Sequence, residues 1–380
     1  MITSITSIQA GVAALRSEYP AVAGRGWDFD GFRVWVESNA PGLIAELEAY
    51  FADFRTLPAS SRERAAEGGP LTWISAIQVD EAPDLIGERE LTIGEYKPSV
   101  RGPKEGWLDL PDGRVVVKLR TGMRFAYGVD DHLAIGPCLA NPNQVINFVN
   151  NRMIQWALHR GALLGHCSAV GHRAGGGADE LPKTIAIAGF SGMGKSTLAL
   201  HLMNDRRLDF LSNDRVMLHA GPPARIEGVP KHPRINPGTI LHNPDLASVL
   251  DEDERVRFAA LTPDELWQLE HKFDGVIGQC FPSQKFLLQG EFAGLVLLNW
   301  NREGNQTHAR RIDVRERQEL LPALIKEPGV FYRPGPGERE RSVESYIELL
   351  ANIPVLELSG TVDFDFGRAA ALELLGLPPR

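Results

Sequence analysis

Cysteine is scarce: Cys138, Cys167 and Cys280 are the only three in 380 residues, with no pair at C-x-x-C spacing. That scarcity excludes a disulfide framework and a cysteine-rich zinc site, and it fits a reducing compartment, so a cytoplasmic protein is expected. The bland reading of the three thiols is as small buried hydrophobes. No run approaches ~18 consecutive apolar residues, which excludes an apolar spanning helix. The first twenty residues lack a basic head, and Glu18 interrupts them, so they do not read as a secretory leader. Positive charge is also short. Forty Lys and Arg against 49 Asp and Glu leave a formal charge of −9. A surface coating nucleic acid or membrane needs a positive field, so neither partner is expected; a local positive pocket remains open. What is present, 43% hydrophobic and 23% charged residues, is the composition of a globular enzyme. The length suits two domains.

No internal repeat is visible. A helix is expected over about Ser7–Tyr19, then a strand over Phe32–Val36. A second helix starts at Pro41, with Leu43, Ile44, Leu47, Tyr50 and Phe51 as its apolar stripe. Arg62–Gly106, rich in Pro, Gly and charge, reads as loops around one strand, Leu71–Val79. Trp107–Leu110 and Arg114–Leu119 flank Pro111-Asp112-Gly113 and read as a hairpin. Strands over Met123–Tyr127 and His132–Ile135 complete a β-rich domain, residues 1–142. From Asn143–Arg160, a long helical pattern, the texture changes to alternating strands and helices. Ala162–Val170, Thr184–Gly189, Leu208–Ser212 and Gly294–Trp300 are the strands, and Lys195–Asn204 is a helix. That alternation makes residues 143–380 an α/β domain and the whole chain α+β. His172–Leu181, with three consecutive glycines, reads as a loop between two strands. Apolar stripes in Tyr346–Leu350 and Ala369–Leu375 read as helices covering a core.

The central signal is Gly189-Phe190-Ser191-Gly192-Met193-Gly194-Lys195-Ser196-Thr197, after the β-branched run from Thr184 and before Leu198-Ala-Leu-His-Leu. It satisfies G-x-x-x-x-G-K-[ST] in the strand–loop–helix setting that pattern requires. The glycines let main-chain N–H groups approach phosphate oxygens, and the helix after them points its free N–H groups at the same anion. Lys195 is expected to neutralise the β- and γ-phosphates of ATP, and the Ser196 hydroxyl to hold Mg²⁺. Beyond the helix, the strand Leu208–Ser212 ends at Asn213-Asp214. Open α/β sheets keep their chemistry at the carboxyl ends of strands, so Asp214 is expected to accept a proton from an attacking hydroxyl or to hold Mg²⁺ through water. The duller alternative is a turn into the next strand. His166, in the strand before the loop strand, could orient the acid or the phosphoryl group; a lone strand histidine is more often structural.

These residues resemble the HPr kinase/phosphorylase family, specifically the divergent group called HPr kinase-related kinase B. The counterparts in order are His166-Cys167, Gly189–Ser196 and Ser212-Asn213-Asp214-Arg215-Val216, and the likeness covers roughly residues 160–300. The resemblance implies a P-loop kinase domain of the HPr kinase/PEP carboxykinase type. It implies γ-phosphoryl transfer from ATP with Mg²⁺ to a hydroxyl, with Asp214 as proton acceptor and His166 and Lys195 in the catalytic group. The acceptor is unnamed by the sequence; the resemblance implies Ser or Thr of a partner protein, an oligomeric assembly and, in some members, reverse phosphorolysis. Asn213 stands where the family has the first of two aspartates, and Thr197 where Glu is common. The N-terminal half does not resemble the family's own. Glu227, ahead of Gly228, is a candidate second metal ligand, with Lys231–Gly238 as the other candidate counterpart of that segment. Arg234 and Arg333, each among residues that fix loop shape, are candidate phosphate clamps, with surface salt bridging as the alternative. The rival functions are a small-molecule kinase, such as one for free serine, and a nucleotide-sensing module without turnover.

Overall fold

The computed structural model describes residues 4–58, 60–94, 102–173, 180–269, 271–301 and 305–378. The chain forms two compact units: residues 1–156 with Pro328–Pro334, and residues 157–327 with 335–380. The division falls after Trp156 rather than at 142.

The first unit contains α1 (Ile8–Glu18), β1 (Ala23–Phe29), β2 (Phe32–Ser38), α2 (Pro41–Tyr50), β3 (Arg55–Thr56), α3 (Arg62–Glu67), β4 (Thr72–Gln78), β5 (Thr92–Ile93), β6 (Glu105–Leu110), β7 (Gly113–Lys118), β8 (Arg124–Tyr127), β9 (His132–Gly136) and most of α4 (Pro142–Leu158). Its strands form one mixed sheet in the order β3-β1-β2-β4-β9-β8-β7-β6-β5. Phe148 on α4 packs on Phe125 with ring centroids 5.0 Å apart, which ties the helix to this sheet and moves the boundary.

Two features of this unit differ from the expectation. Strand β1 is absent from the sequence reading because Gly24 and Gly26 make it look like a loop. The glycines are there because Trp35 on β2 lies across them: a Cβ on Gly24 would sit 2.9 Å from that ring. Arg62–Gly106 is also more than one strand. It holds α3, capped by the Ser61 hydroxyl accepting from the Arg64 N–H, and β5. Within it, residues 95–101 lie outside the described residues.

The second unit is mixed α/β. It contains β10 (Leu163–Gly165), β11 (Cys167–His172), β12 (Lys183–Gly189), α5 (Lys195–Leu202), β13 (Leu208–Ser212), β14 (Val216–His219), β15 (Arg225–Gly228), β16 (Arg234–Ile235) and α6 (Pro237–Leu241). Next come α7 (Glu252–Ala259), α8 (Pro263–Gln268), β17 (Phe273–Asp274), α9 (Ile277–Cys280), β18 (Gln289–Asn301), β19 (His308–Arg311), α10 (Val343–Leu350), β20 (Val355–Thr361) and α11 (Phe364–Leu374). Nine of these strands make one sheet, with the path β10-β14-β15-β18-β12-β11-β13 and β20 paired to β18 and β19. The strands β12, β18 and β20 run parallel as neighbours, while β11 lies antiparallel between β12 and β13.

Both faces of this sheet are covered, which explains why β12 reads as an unbroken apolar run. Ile185 and Ile187 pack into one core with Leu198 of α5 and Leu372 of α11. Ala186 and Ala188, pointing the other way, pack with Tyr346 and Leu350 of α10. The parallel β12–β18 pair puts Gly189 opposite Leu298. The antiparallel pairs put Cys167 opposite Ala188 and Ala169 opposite Ser212. The ends of β12 and β13 and the beginning of β11 therefore meet at one edge.

The run Ala162–Val170 is not a single strand. It breaks at His166, because β10 pairs with β14 whereas β11 pairs with β12 and β13. At the break the His166 N–H leaves the ladder and donates to the Leu324 carbonyl at 2.7 Å. The glycines Gly175–Gly177 of the following loop lie outside the described residues. All three cysteines are buried. Among the described residues no helix is long and apolar enough to cross a membrane.

Candidate functional site

The loop Phe190–Gly194 leaves the end of β12 and enters α5 at Lys195. Gly192 and Gly194 take φ of +85° and +83°, a region that penalises any residue with a Cβ. Gly194 is the N-cap of α5, with no side-chain cap on the first-turn N–H groups. Those N–H groups are the orphan donors of a helix start, aimed out of the end of β12. Three contacts fix the loop from below. The Trp300 Nε1–H donates to the Met193 carbonyl at 2.8 Å. The Phe364 ring packs against Gly194, where a Cβ would come within 2.8 Å of it, and stands edge-on to Trp300 at 5.3 Å. The Thr197 and Thr239 hydroxyls are 2.9 Å apart and hydrogen-bonded.

Lys195 is 8% exposed, and its Nζ donates to the Gly189 carbonyl at 2.7 Å and to that of Phe190 at 3.4 Å. Burial lowers its pKa, and Lys326 and Lys272 push the same way, against Cys167 and Asp214. The Cys167 thiol, fully buried, is itself pushed up by burial. An ammonium in a partly dehydrated, cation-rich position is one that an added polyanion stabilises.

Asp214 lies two residues beyond β13. His166 Nε2 stands 3.2 Å from its Oδ1, and Arg215 Nε 3.6 Å from its Oδ2. Burial pushes the carboxyl pKa up, but the His166 hydrogen bond, the Arg215 charge, the His166 charge and Lys326 outweigh it, so Asp214 lies below the usual carboxylate range. The turn carrying it is pinned: Ser168 Oγ donates to the Asn213 carbonyl at 2.8 Å, and Ser212 Oγ to that of Arg215 at 2.6 Å. Asn213 Oδ1 is buried without a hydrogen bond among the described residues. Asp214 and His166 thus come together, and electrostatic coupling joins both to the neighbourhood of Lys195.

The remaining candidates have other direct partners. Glu227, 8% exposed on β15 opposite Met217, has its Oε2 3.1 Å from His219 Nε2. Among the described residues no group of three His, Cys, Asp or Glu side chains could hold a metal ion. Arg234, on the two-stranded β16–β17 ribbon, faces Asp274 at 3.6 Å and donates to the Lys272 carbonyl at 3.3 Å. Arg333 belongs to the first unit, where its N–H donates to Gln155 Oε1 at 3.2 Å.

Two cations were not singled out from the sequence. The Lys326 N–H donates to the Leu164 carbonyl at 3.2 Å, and Ile325 bridges Gly165, so a segment 160 positions away runs beside His166. Lys231 sits among Arg215, Asp214, Arg234 and Asp274; burial, then Arg215 and Arg234, lower its pKa, with the two acids opposing. No motif marks Lys326, which long-range pairing alone brings in, and Lys231 entered the sequence reading only as the start of the Lys231–Gly238 segment. The assembly is chemically a main-chain N–H cradle with Lys195, Lys231 and Lys326 about it and the Asp214 carboxylate at its edge. No family model and no curated protein matches the chain.

Proposed function

We propose that this chain is an ATP-dependent kinase with a P-loop domain of the HPr kinase/PEP carboxykinase type, transferring the γ-phosphoryl group to a hydroxyl, that of Ser or Thr in a partner protein. The observation that carries the reading is the convergence of the Gly189–Thr197 loop with the His166–Asp214 pair, from adjacent antiparallel strands, at one sheet edge. A phosphate cradle alone binds; a cradle beside an oriented base can transfer.

In this reading the loop N–H groups and the start of α5 hold the polyphosphate, and Lys195 swings from its carbonyl partners onto the β/γ oxygens. Asp214, ionised at neutral pH, takes the proton from the acceptor hydroxyl. His166 holds the carboxylate in place. Ser196 and Asp214 offer hard oxygen donors that suit Mg²⁺, which when bound would neutralise charge between the phosphates. Lys326 and Lys231 strengthen the positive field that gathers anions.

Asn213 favours a second reading, nucleotide sensing without turnover, because an amide there supplies one carboxylate fewer for a metal. One experiment separates the two. Asp214→Asn is expected to keep Mg·ATP affinity within a few-fold and to abolish transfer of labelled γ-phosphate in an extract, whereas Lys195→Ala abolishes binding. A labelled protein band supports the proposed acceptor, and a labelled metabolite points to a small-molecule kinase. Unchanged transfer by Asp214→Asn would sink the assignment of the base.

A further inference from the structure

We propose that the hollow at the carboxyl ends of β18 and β20 is the seat of a purine base, so that the nucleotide lies across the sheet edge with its base away from Asp214. The proposal rests on the nucleotide reading above and adds to it where, and by what chemistry, the base is recognised.

Strand order sets the direction. Asp214 and His166 lie on the β11–β13 side of the loop strand, and β18 and β20 follow in parallel on its other side. Ligands of open α/β sheets lie outside the carboxyl ends of parallel strands. A triphosphate whose last phosphate faces Asp214 must therefore extend its base over the ends of β18 and β20. A hollow of about 470 Å³ occupies that place, lined by Asn305, Gln306 and Thr307 after β18, by Thr361 at the end of β20 and by Asp363 and Phe366 beyond it. Its volume is that of a small-molecule site.

The hollow and the phosphate loop are linked through the start of α11. Phe364, which supports Gly194, stands between Asp363 and Phe366 at the start of α11. The walls are held in register. Thr307 Oγ1 donates to the Thr361 carbonyl at 2.9 Å, and Gly360, at φ +89°, lies so close to the Gln306 carbonyl that a Cβ would be 1.9 Å from it.

The chemistry of the lining fits a base and not a phosphate. Phe366 is an aromatic ring left 39% exposed on the first turn of α11. Such a ring offers a stacking face. Asp363 caps α11 by accepting the Phe366 N–H at Oδ1, 2.9 Å, and among the described residues its Oδ2 carries no bond, so it can accept an N–H from the base edge. The exposed amides of Asn305 and Gln306 add donors and acceptors. The lining contains an acid and no cation, whereas the cations cluster around Lys195 and Asp214. A polyphosphate is thereby excluded from the hollow, and the two ends of the ligand are told apart.

The test is calorimetric titration of wild type and Phe366→Ala with Mg²⁺ plus tripolyphosphate, ATP, GTP or CTP. ATP or GTP is expected to bind wild type at least about ten-fold more tightly than tripolyphosphate, the contribution of aromatic stacking. Phe366→Ala is expected to remove about that factor from the purine nucleotide and to leave tripolyphosphate unchanged, which also shows that the cradle is still folded. Which purine binds more tightly identifies the base. An intact purine advantage in Phe366→Ala, or CTP binding as tightly as ATP, overturns the base site while leaving the cradle standing. If neither tripolyphosphate nor any nucleotide binds wild type, the cradle reading fails and this one with it.

Discussion

Gly194→Ala separates two physical costs that meet in the Gly189–Thr197 loop. The first is backbone: at φ +83° an L-residue pays about 1–2 kcal/mol for the left-handed region. The second is steric. An added Cβ would stand 2.8 Å from Phe364 Cζ and 2.9 Å from its Cε1. That ring cannot simply turn away, because it is packed edge-on against Trp300, whose indole N–H holds the Met193 carbonyl. Overpacking of this kind adds about 1–3 kcal/mol, for a total of about 2–5 kcal/mol. Gly376 provides the control: it lies in the same unit at φ +73° with nothing within 4 Å of its would-be Cβ. Gly376→Ala carries the backbone term alone, and any gain from a stiffer unfolded chain is shared by both variants. Denaturant midpoints of the two single variants, of Phe364→Ala and of Gly194→Ala with Phe364→Ala complete the comparison. Gly194→Ala is expected to lose at least ~1 kcal/mol more than Gly376→Ala, and the double variant to recover that excess as a non-additive term. Equal losses for the two glycines would mean that the Phe364 ring yields freely and does not support the loop.

Two further outcomes concern the stability of the same unit. Asp205 accepts from Arg207 at 2.9 and 2.6 Å and from the Arg207 N–H at 3.1 Å, and these bonds, against burial, lower its pKa from 3.8 to about 2. Because the folded value is the lower one, its contribution of about 2 kcal/mol is present above pH ~4 and lost as pH falls through about 2. Asp205→Asn should flatten that part of the acid-denaturation curve, and an unaltered curve would contradict the assignment. Glu357, 3% exposed, accepts from Asn299 and Arg317 Nη2 at 2.7 Å each and from Arg310 at 3.2 Å. Glu357→Gln leaves two guanidinium groups facing an amide, and urea unfolding should register a loss of about 3 kcal/mol; a loss under ~0.5 kcal/mol would show that the ion cluster is solvated.

The conformation of the Gly189–Thr197 loop was legible in the sequence because its demands are local. Glycines for positive φ, a β-branched strand before and a helix after are all specified within about 20 residues. The same holds for the hairpin at Pro111-Asp112-Gly113, the Pro41 helix start and the unbroken apolar run of β12. Asp214 was also readable, since it follows a short apolar strand. What local pattern could not give was partner choice. The split of Ala162–Val170 at His166 depends on β14 competing with β12 and β13 for one segment, and β1 was hidden because its glycines serve the Trp35 ring across the ladder.

By itself, then, the sequence determined a strand–loop–helix turn with glycines at positive φ and an acid that follows at a strand end. Only the tertiary structure decided which groups share that edge: it brought in Lys326 and Lys231, left Glu227 with His219, and put Arg333 in the first unit. The reason is the range of the interactions. Backbone conformation is set by neighbours in the chain, whereas strand pairing and charge clustering join residues more than a hundred positions apart, at distances in sequence where no spacing rule operates.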